Sequence, residues 1–149
     1  MNAKRVSYKP LYILDASVMI KLIAQESGDT DEIETSIQKL TDDIQKEKIK
    51  TISLPLMCWE IGNWAARAFP EQALAIMSLL PNFEMEEQRL NLDISHRTFE
   101  IMRQYPRVTF YDASYHGLAL YLGGEFLTND KAYYDSAKSL GHIKLLKDY

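Results

Sequence analysis

Three acids stand alone in apolar segments of this sequence. Asp15 is the only charged residue from Pro10 to Ile20, Glu60 the only one from Thr51 to Ala66, and Asp112 the only one from Val108 to Gly124. Most other acids sit among charges. Asp130 is less isolated, because Lys131 follows it, but it comes just after a predicted strand. Burying an unpaired carboxylate is costly, so isolated acids in segments that otherwise bury themselves need a reason. Four converging carboxylates would repel one another. At ~4 Å two unit charges interact by about 4 kcal/mol at an effective dielectric of ~20. A divalent cation removes that penalty, and an all-oxygen set of ligands suits a hard ion, Mg²⁺ or Mn²⁺. Such a metal polarises an oxygen of its substrate and lowers the pKa of a bound water.

Each acid also has a purely structural reading. Asp15 can cap a helix starting at Ala16, and Asp130 can cap the last helix. Asp112 completes Thr109-x-x-Asp112, an acidic variant of the capping box. Glu60 lies in mid-helix, where a lone Glu is ordinarily solvated, although Trp59, Ile61 and Trp64 surround it. Asn63 is one helical turn from Glu60 and can face the same cleft. Ser17 can hydrogen-bond beside Asp15, and Thr128 can tie down the Asp130 turn. Lys21, Arg67 and Lys131 are candidate phosphate contacts near these acids, with ordinary exposed cations as the plainer reading. His96, His116 and His142 lack metal-binding spacing such as H-E-x-x-H. His116, on the Asp112 helix, is within reach of the cleft, but packing or solvent exposure is expected. Trp59 and Trp64 can stack bases, but core or dimer packing is expected.

The elements that must position the acids alternate in type. Leu11-Tyr12-Ile13-Leu14 reads as a buried strand, and Ala16 to Ala24 as a helix. Residues 29–48 place Ile33, Ile37, Leu40 and Ile44 at helical spacing. Eight acids between Glu26 and Glu47 there read as a solvated face. Ile49 to Ser53 is a strand, and Pro55 opens a helix running to about Ala68. A helix after Pro70 stops before Pro81, and residues 82–87 form a weak strand. Asp93 to Gln104 is an amphipathic helix with Phe99, Ile101 and Met102 on or near its buried side. Tyr111 to Leu122 is an apolar helix ended by Gly123-Gly124. Phe126-Leu127-Thr128 is a strand, a helix runs on to Leu140, and His142 to Leu146 is the last strand. The alternation predicts an α/β fold, three-layer α/β/α with a mainly parallel central sheet. In such sheets sites form outside the carboxyl ends of the strands. Asp15 and Asp130 fall at strand ends, Asp112 opens a helix, and Glu60 lies on a helix that follows a strand.

Composition narrows the class. The 149 residues suit one domain, expected over 11–149, behind a polar extension at 1–10. The net charge of -4 is the wrong sign for a broad basic nucleic-acid face, but it does not exclude a nuclease whose acids are neutralised by bound metal. One cysteine, Cys58, excludes a disulfide framework within the chain; it fits core packing and a reducing, cytoplasmic setting. No apolar stretch of ~18 residues predicts a membrane span. Lys4, Arg5 and Lys9 precede no long apolar run, because Asp15 interrupts it, so no secretory leader is expected.

Four segments carry a resemblance. Leu14-Asp15-Ala16-Ser17, Trp59-Glu60-Ile61-Gly62-Asn63, Tyr111-Asp112-Ala113-Ser114-Tyr115 and Leu127-Thr128-Asn129-Asp130 resemble, in order and spacing, the four motifs of PIN domains. By pattern the sequence is most similar to the VapC toxins of toxin–antitoxin pairs, from Leu11 onward. The resemblance implies a PIN-like fold and a Mg²⁺-dependent endoribonuclease, a homodimer held in check by a cognate antitoxin protein. It implies Asp15, Glu60, Asp112 and Asp130 as catalytic metal-site acids, with Ser17 and Thr128 in support. The N-terminal extension and the long acidic helix at 29–48 depart from that pattern. Two other readings compete: a non-catalytic RNA-binding or protein-interaction module on the same fold, and a phospho-receiver domain. The receiver needs an acidic pair near the first strand, whereas Leu14 precedes Asp15.

Overall fold

A computed structural model describes residues 8–24 and 28–149. Most of the N-terminal extension, with Lys4 and Arg5, and Glu26 of the acidic stretch lie outside the described residues.

The chain begins in the middle of its sheet. Strand β1 (Leu11–Leu14) pairs in parallel with β2 (Lys50–Ser53) on one side and with β4 (Glu125–Thr128) on the other. The short β3 (Glu86–Glu87) adds beside β2, and β5 (Ile143–Leu145) beside β4. The sheet is therefore all parallel, in the order β3-β2-β1-β4-β5. The chain winds outward from β1 to β3 and then returns to the far side of β1. That reversal leaves a crevice beyond the carboxyl ends of β1 and β4, where open α/β sheets place ligands. The register puts Leu14 beside Leu127, so Asp15 and Thr128 emerge as neighbours.

Among the described residues seven helices flank this sheet: α1 (Ala16–Ile23), α2 (Asp31–Gln45), α3 (Leu56–Ala68), α4 (Ala73–Leu79), α5 (Leu92–Gln104), α6 (Phe110–Leu122) and α7 (Lys131–Ala137). Side-chain caps start most of them. Thr30, Asn91 and Thr109 accept hydrogen bonds from the first-turn amides of α2, α5 and α6, and Asp15 and Asp130 do the same for α1 and α7. Gly123 closes α6 at φ +69°, a left-handed conformation in which a Cβ is penalised. The core packs Ile13, Leu14, Ile52, Phe126 and Leu127 of the strands against Val18, Met19, Ile61, Tyr115 and Leu118 of the helices. No helix among the described residues is long and apolar enough to cross a membrane.

Several boundaries differ from expectation. The helix expected over 29–48 spans Asp31–Gln45; its apolar stripe faces the core and its acidic face is largely exposed, as read. The helix expected to reach Leu140 tightens into a 3-10 turn over Lys138–Leu140. Phe99 is not on the buried side of α5. Ile94, Thr98 and Ile101 form that side, and Phe99 leans outward onto Phe110, with ring centroids 5.1 Å apart. Trp59 is not a core residue either: it is 78% exposed, because α3 docks through Met57, Ile61 and Ala65. Trp64 packs against the core and meets Phe69 edge to face. Cys58 is half-buried against the core.

Candidate functional site

Asp15 follows the last residue of the central strand and is 8% exposed. Its Oδ1 accepts from the Val18 amide at 3.0 Å and the Ser17 hydroxyl at 2.6 Å, and its Oδ2 from the Thr128 hydroxyl at 2.6 Å. The network continues into the β4–α7 turn. Ser17 Oγ accepts from the Asn129 amide at 2.8 Å, and Thr128 Oγ1 accepts from the Asp130 amide at 3.0 Å. Behind it, the Ser53 hydroxyl donates to the Leu14 carbonyl at 2.6 Å, pinning the strand end that presents Asp15. Ser17 and Thr128 thus clamp two strand ends whose residues are more than a hundred positions apart. Burial pushes the Asp15 carboxyl up to about 6 despite these donors, and repulsion from Glu60 adds to the shift.

The other acids each use one oxygen to hold themselves in place. Asp130 Oδ1 accepts from the Tyr133 amide at 3.0 Å, Asp112 Oδ2 from the Thr109 hydroxyl at 2.8 Å, and Glu60 Oε2 from the Tyr115 hydroxyl at 2.6 Å. Among the described residues, Asp130 Oδ2, Asp112 Oδ1 and Glu60 Oε1 accept no hydrogen bond from the protein. Burial raises the pKa of Glu60, and repulsion from Asp112 adds to it; burial raises that of Asp112, with repulsion from Asp130. The four acids therefore form an electrostatic chain: Asp15 to Glu60, Glu60 to Asp112, Asp112 to Asp130. An all-carboxylate set with free oxygens and mutual repulsion fits a hard divalent cation in donor type and charge. As placed, however, no three acid, histidine or cysteine side chains among the described residues gather closely enough to grip one ion together.

The remaining candidates separate. Asn63 and Arg67 line a shallow cleft of about 490 Å³ with Glu60, Trp64 and Ala68, all on one face of α3. Lys21 is not the exposed cation expected: it is 9% exposed and ion-paired to Asp29 at 2.6 Å. Lys131 is surface-exposed and pairs with Asp135, one turn along α7. His116 is fully buried, the packing outcome of the two expected for it. Its Nε2 donates to the Gly141 carbonyl at 2.7 Å, so its Nδ1 accepts from the Tyr133 hydroxyl at 3.0 Å. Burial lowers its pKa and keeps it neutral in that role.

Sequence reasoning passed over Tyr115, Ser53 and Tyr133. Tyr115 sits one turn after Asp112, and that spacing was the available signal. Ser53 and Tyr133 act through contacts that no local pattern announces.

No family model matches the chain, and no curated protein matches it in sequence. Solved structures do match. A toxin–antitoxin complex from Klebsiella pneumoniae aligns at TM-score 0.64 and 12% identity, over 91% of this chain and 97% of that one. DNA-bound VapBC from Salmonella typhimurium aligns at TM-score 0.64 and 17% identity, over 91% and 96%. A VapC toxin from Mycobacterium tuberculosis that cleaves the sarcin-ricin loop aligns at TM-score 0.62 and 12% identity, over 83% and 93%. With its all-parallel five-stranded sheet in three layers, the chain has the PIN-like fold of these VapC and VapBC structures.

Proposed function

We propose that this chain is a Mg²⁺-dependent endoribonuclease, the toxin of a type II toxin–antitoxin pair, acting as a homodimer and restrained by a cognate antitoxin protein; Mn²⁺ is the alternative ion. One observation carries the reading: the four carboxylates repel one another pairwise, Asp15 with Glu60, Glu60 with Asp112 and Asp112 with Asp130, and three of them keep an oxygen free of partners among the described residues. The toxin–antitoxin structures that share the fold support the biological setting. Asp15, Asp112, Glu60 and Asp130 would hold the ion, which supplies a Lewis acid and an activated water at neutral pH. Asp15 contributes a rigid carboxylate, because three donors orient it. Ser17 and Thr128 keep the two strand ends in register around it. Asn63 and Arg67, in the cleft beside Glu60, would receive RNA phosphates.

Asp15→Asn and Asp112→Asn are expected to abolish Mg²⁺-dependent cleavage of structured RNAs while leaving far-UV circular dichroism unchanged. EDTA should silence the wild type. Wild-type cleavage by both variants would remove the proposed site. A second reading, a non-catalytic RNA-binding or protein-interaction module, is favoured by the absence of three gathered ligands among the described residues. Calorimetric titration with Mn²⁺ separates the two: a binding heat that Asp15→Asn loses supports the enzyme, and no heat in the wild type supports the module.

A further inference from the structure

Glu60 faces two environments at once. On one side lies the acid chain of Asp15 and Asp112. On the other lies the α3 cleft, where Arg67 sits two turns along the same helix face. Seven residues span about 10 Å of helix. Arg67 has no ion-pair partner among the described residues, so it competes for this carboxylate with nothing else to hold it. Electrostatics alone would draw Glu60 toward the guanidinium and away from like charge.

The Tyr115 hydroxyl opposes that pull. Its ring is buried, 1% exposed, and stacks on Phe126 at 5.8 Å, so the ring cannot follow Glu60 outward. Its hydroxyl donates to Glu60 Oε2 at 2.6 Å, the length of a charge-assisted bond. A buried tyrosine hydroxyl needs some acceptor. Here the acceptor is a carboxylate from another helix, 55 positions away. Asp15 and Asp112 also act electrostatically on the same hydroxyl. We propose that Tyr115 is a positioning residue that turns Glu60 toward Asp15 and Asp112 and away from Arg67, leaving Oε1 as the oxygen presented to a divalent cation. The orientation stands on geometry; its use in metal binding rests on the nuclease reading.

Tyr115→Phe keeps the stacked ring and removes only the hydroxyl. Groups that orient metal ligands typically contribute roughly 10- to 100-fold in metal affinity. We expect Mn²⁺, titrated alone by calorimetry, to bind Tyr115→Phe weaker than wild type by about that factor. In a Glu60→Gln background the same substitution should cause no further loss, because Tyr115 acts through Glu60. Unchanged Mn²⁺ affinity in Tyr115→Phe, or an equal loss in both backgrounds, overturns the proposal. A crystal structure of metal-free Tyr115→Phe reads the orientation directly. Glu60 swung toward Arg67 supports it; Glu60 unmoved refutes it. If wild type binds no Mn²⁺, the nuclease reading fails, while that crystal structure still decides the orientation.

Discussion

Asp15 shows how one side chain serves two ends. Its carboxylate caps α1 and also ties β1 to β4 through Thr128. The capping geometry does not exclude a metal; it fixes the oxygens at the crevice. The cost appears in the ionisation. Burial moves this carboxyl from 3.8 to about 6, so holding it ionised in the metal-free fold costs about 3 kcal/mol. The folded state binds this proton more tightly than the unfolded chain. Its contribution to stability therefore falls as pH rises from 3.8 to about 6 and stays low above that. Asp15→Asn escapes the loss. In metal-free thermal melts the variant should gain on wild type by roughly 1 kcal/mol between pH 5 and pH 7.5. A wild type that gains on the variant over that range would contradict the burial account.

At the scale of elements, the site depends on how α6 is seated. α6 brings Asp112, Tyr115 and His116 from one helix to three different jobs. Its seat against α5 is close at Gly117, where an added Cβ would meet Thr98 Oγ1 at 2.7 Å and the Ile94 carbonyl at 3.3 Å. Thr98 is itself buried and committed, its hydroxyl donating to the Ile94 carbonyl at 2.8 Å. Neither neighbour can yield without moving α5. Gly117→Ala should therefore cost about 1–3 kcal/mol by overpacking, despite the better helix propensity of alanine. Urea denaturation checks this through a lower midpoint at unchanged slope. A stability equal to wild type would mean that the helices separate freely, and that α6 is not held as described.

At the scale of the molecule, the strand order decides which strand ends are neighbours, and so brings Asp15 beside Thr128. Reversal of winding at β1 and β4 opens the crevice that receives residues from both halves of the chain. On the proposed nuclease reading, the net charge of -4 argues against a broad basic face for RNA, so affinity would come from metal and from a few cations near the cleft. Metal should then stabilise the whole fold, since the unfolded chain lacks the site. At about 100 times its dissociation constant an ion adds about 2.7 kcal/mol, which for a domain of this size raises the melting temperature by roughly 5–10 °C. Scanning fluorimetry at pH 7.5 should show that rise with Mg²⁺, its reversal by EDTA, and its absence in Asp112→Asn. No shift in wild type at saturating Mg²⁺ would argue against a metal centre.

Much of this was readable in the sequence because it is local. Alternating strand and helix patterns, caps at Asp15, Thr109 and Asp130, and the stop at Gly123 depend on neighbours a few residues away. Isolation of Asp15, Glu60 and Asp112 among apolar residues is likewise a one-dimensional property. The tertiary structure decided what depends on docking. The rotation of α3 about its axis put Trp59 in solvent and Glu60 against Tyr115, since the run around Trp59 and Ile61 is too uniformly apolar to declare its buried side. The Thr128–Asp15 clamp and the Glu60–Tyr115 bond join residues far apart in sequence. Such contacts exist only once the parallel sheet has set its strand order, because side chains meet where packing brings their elements together.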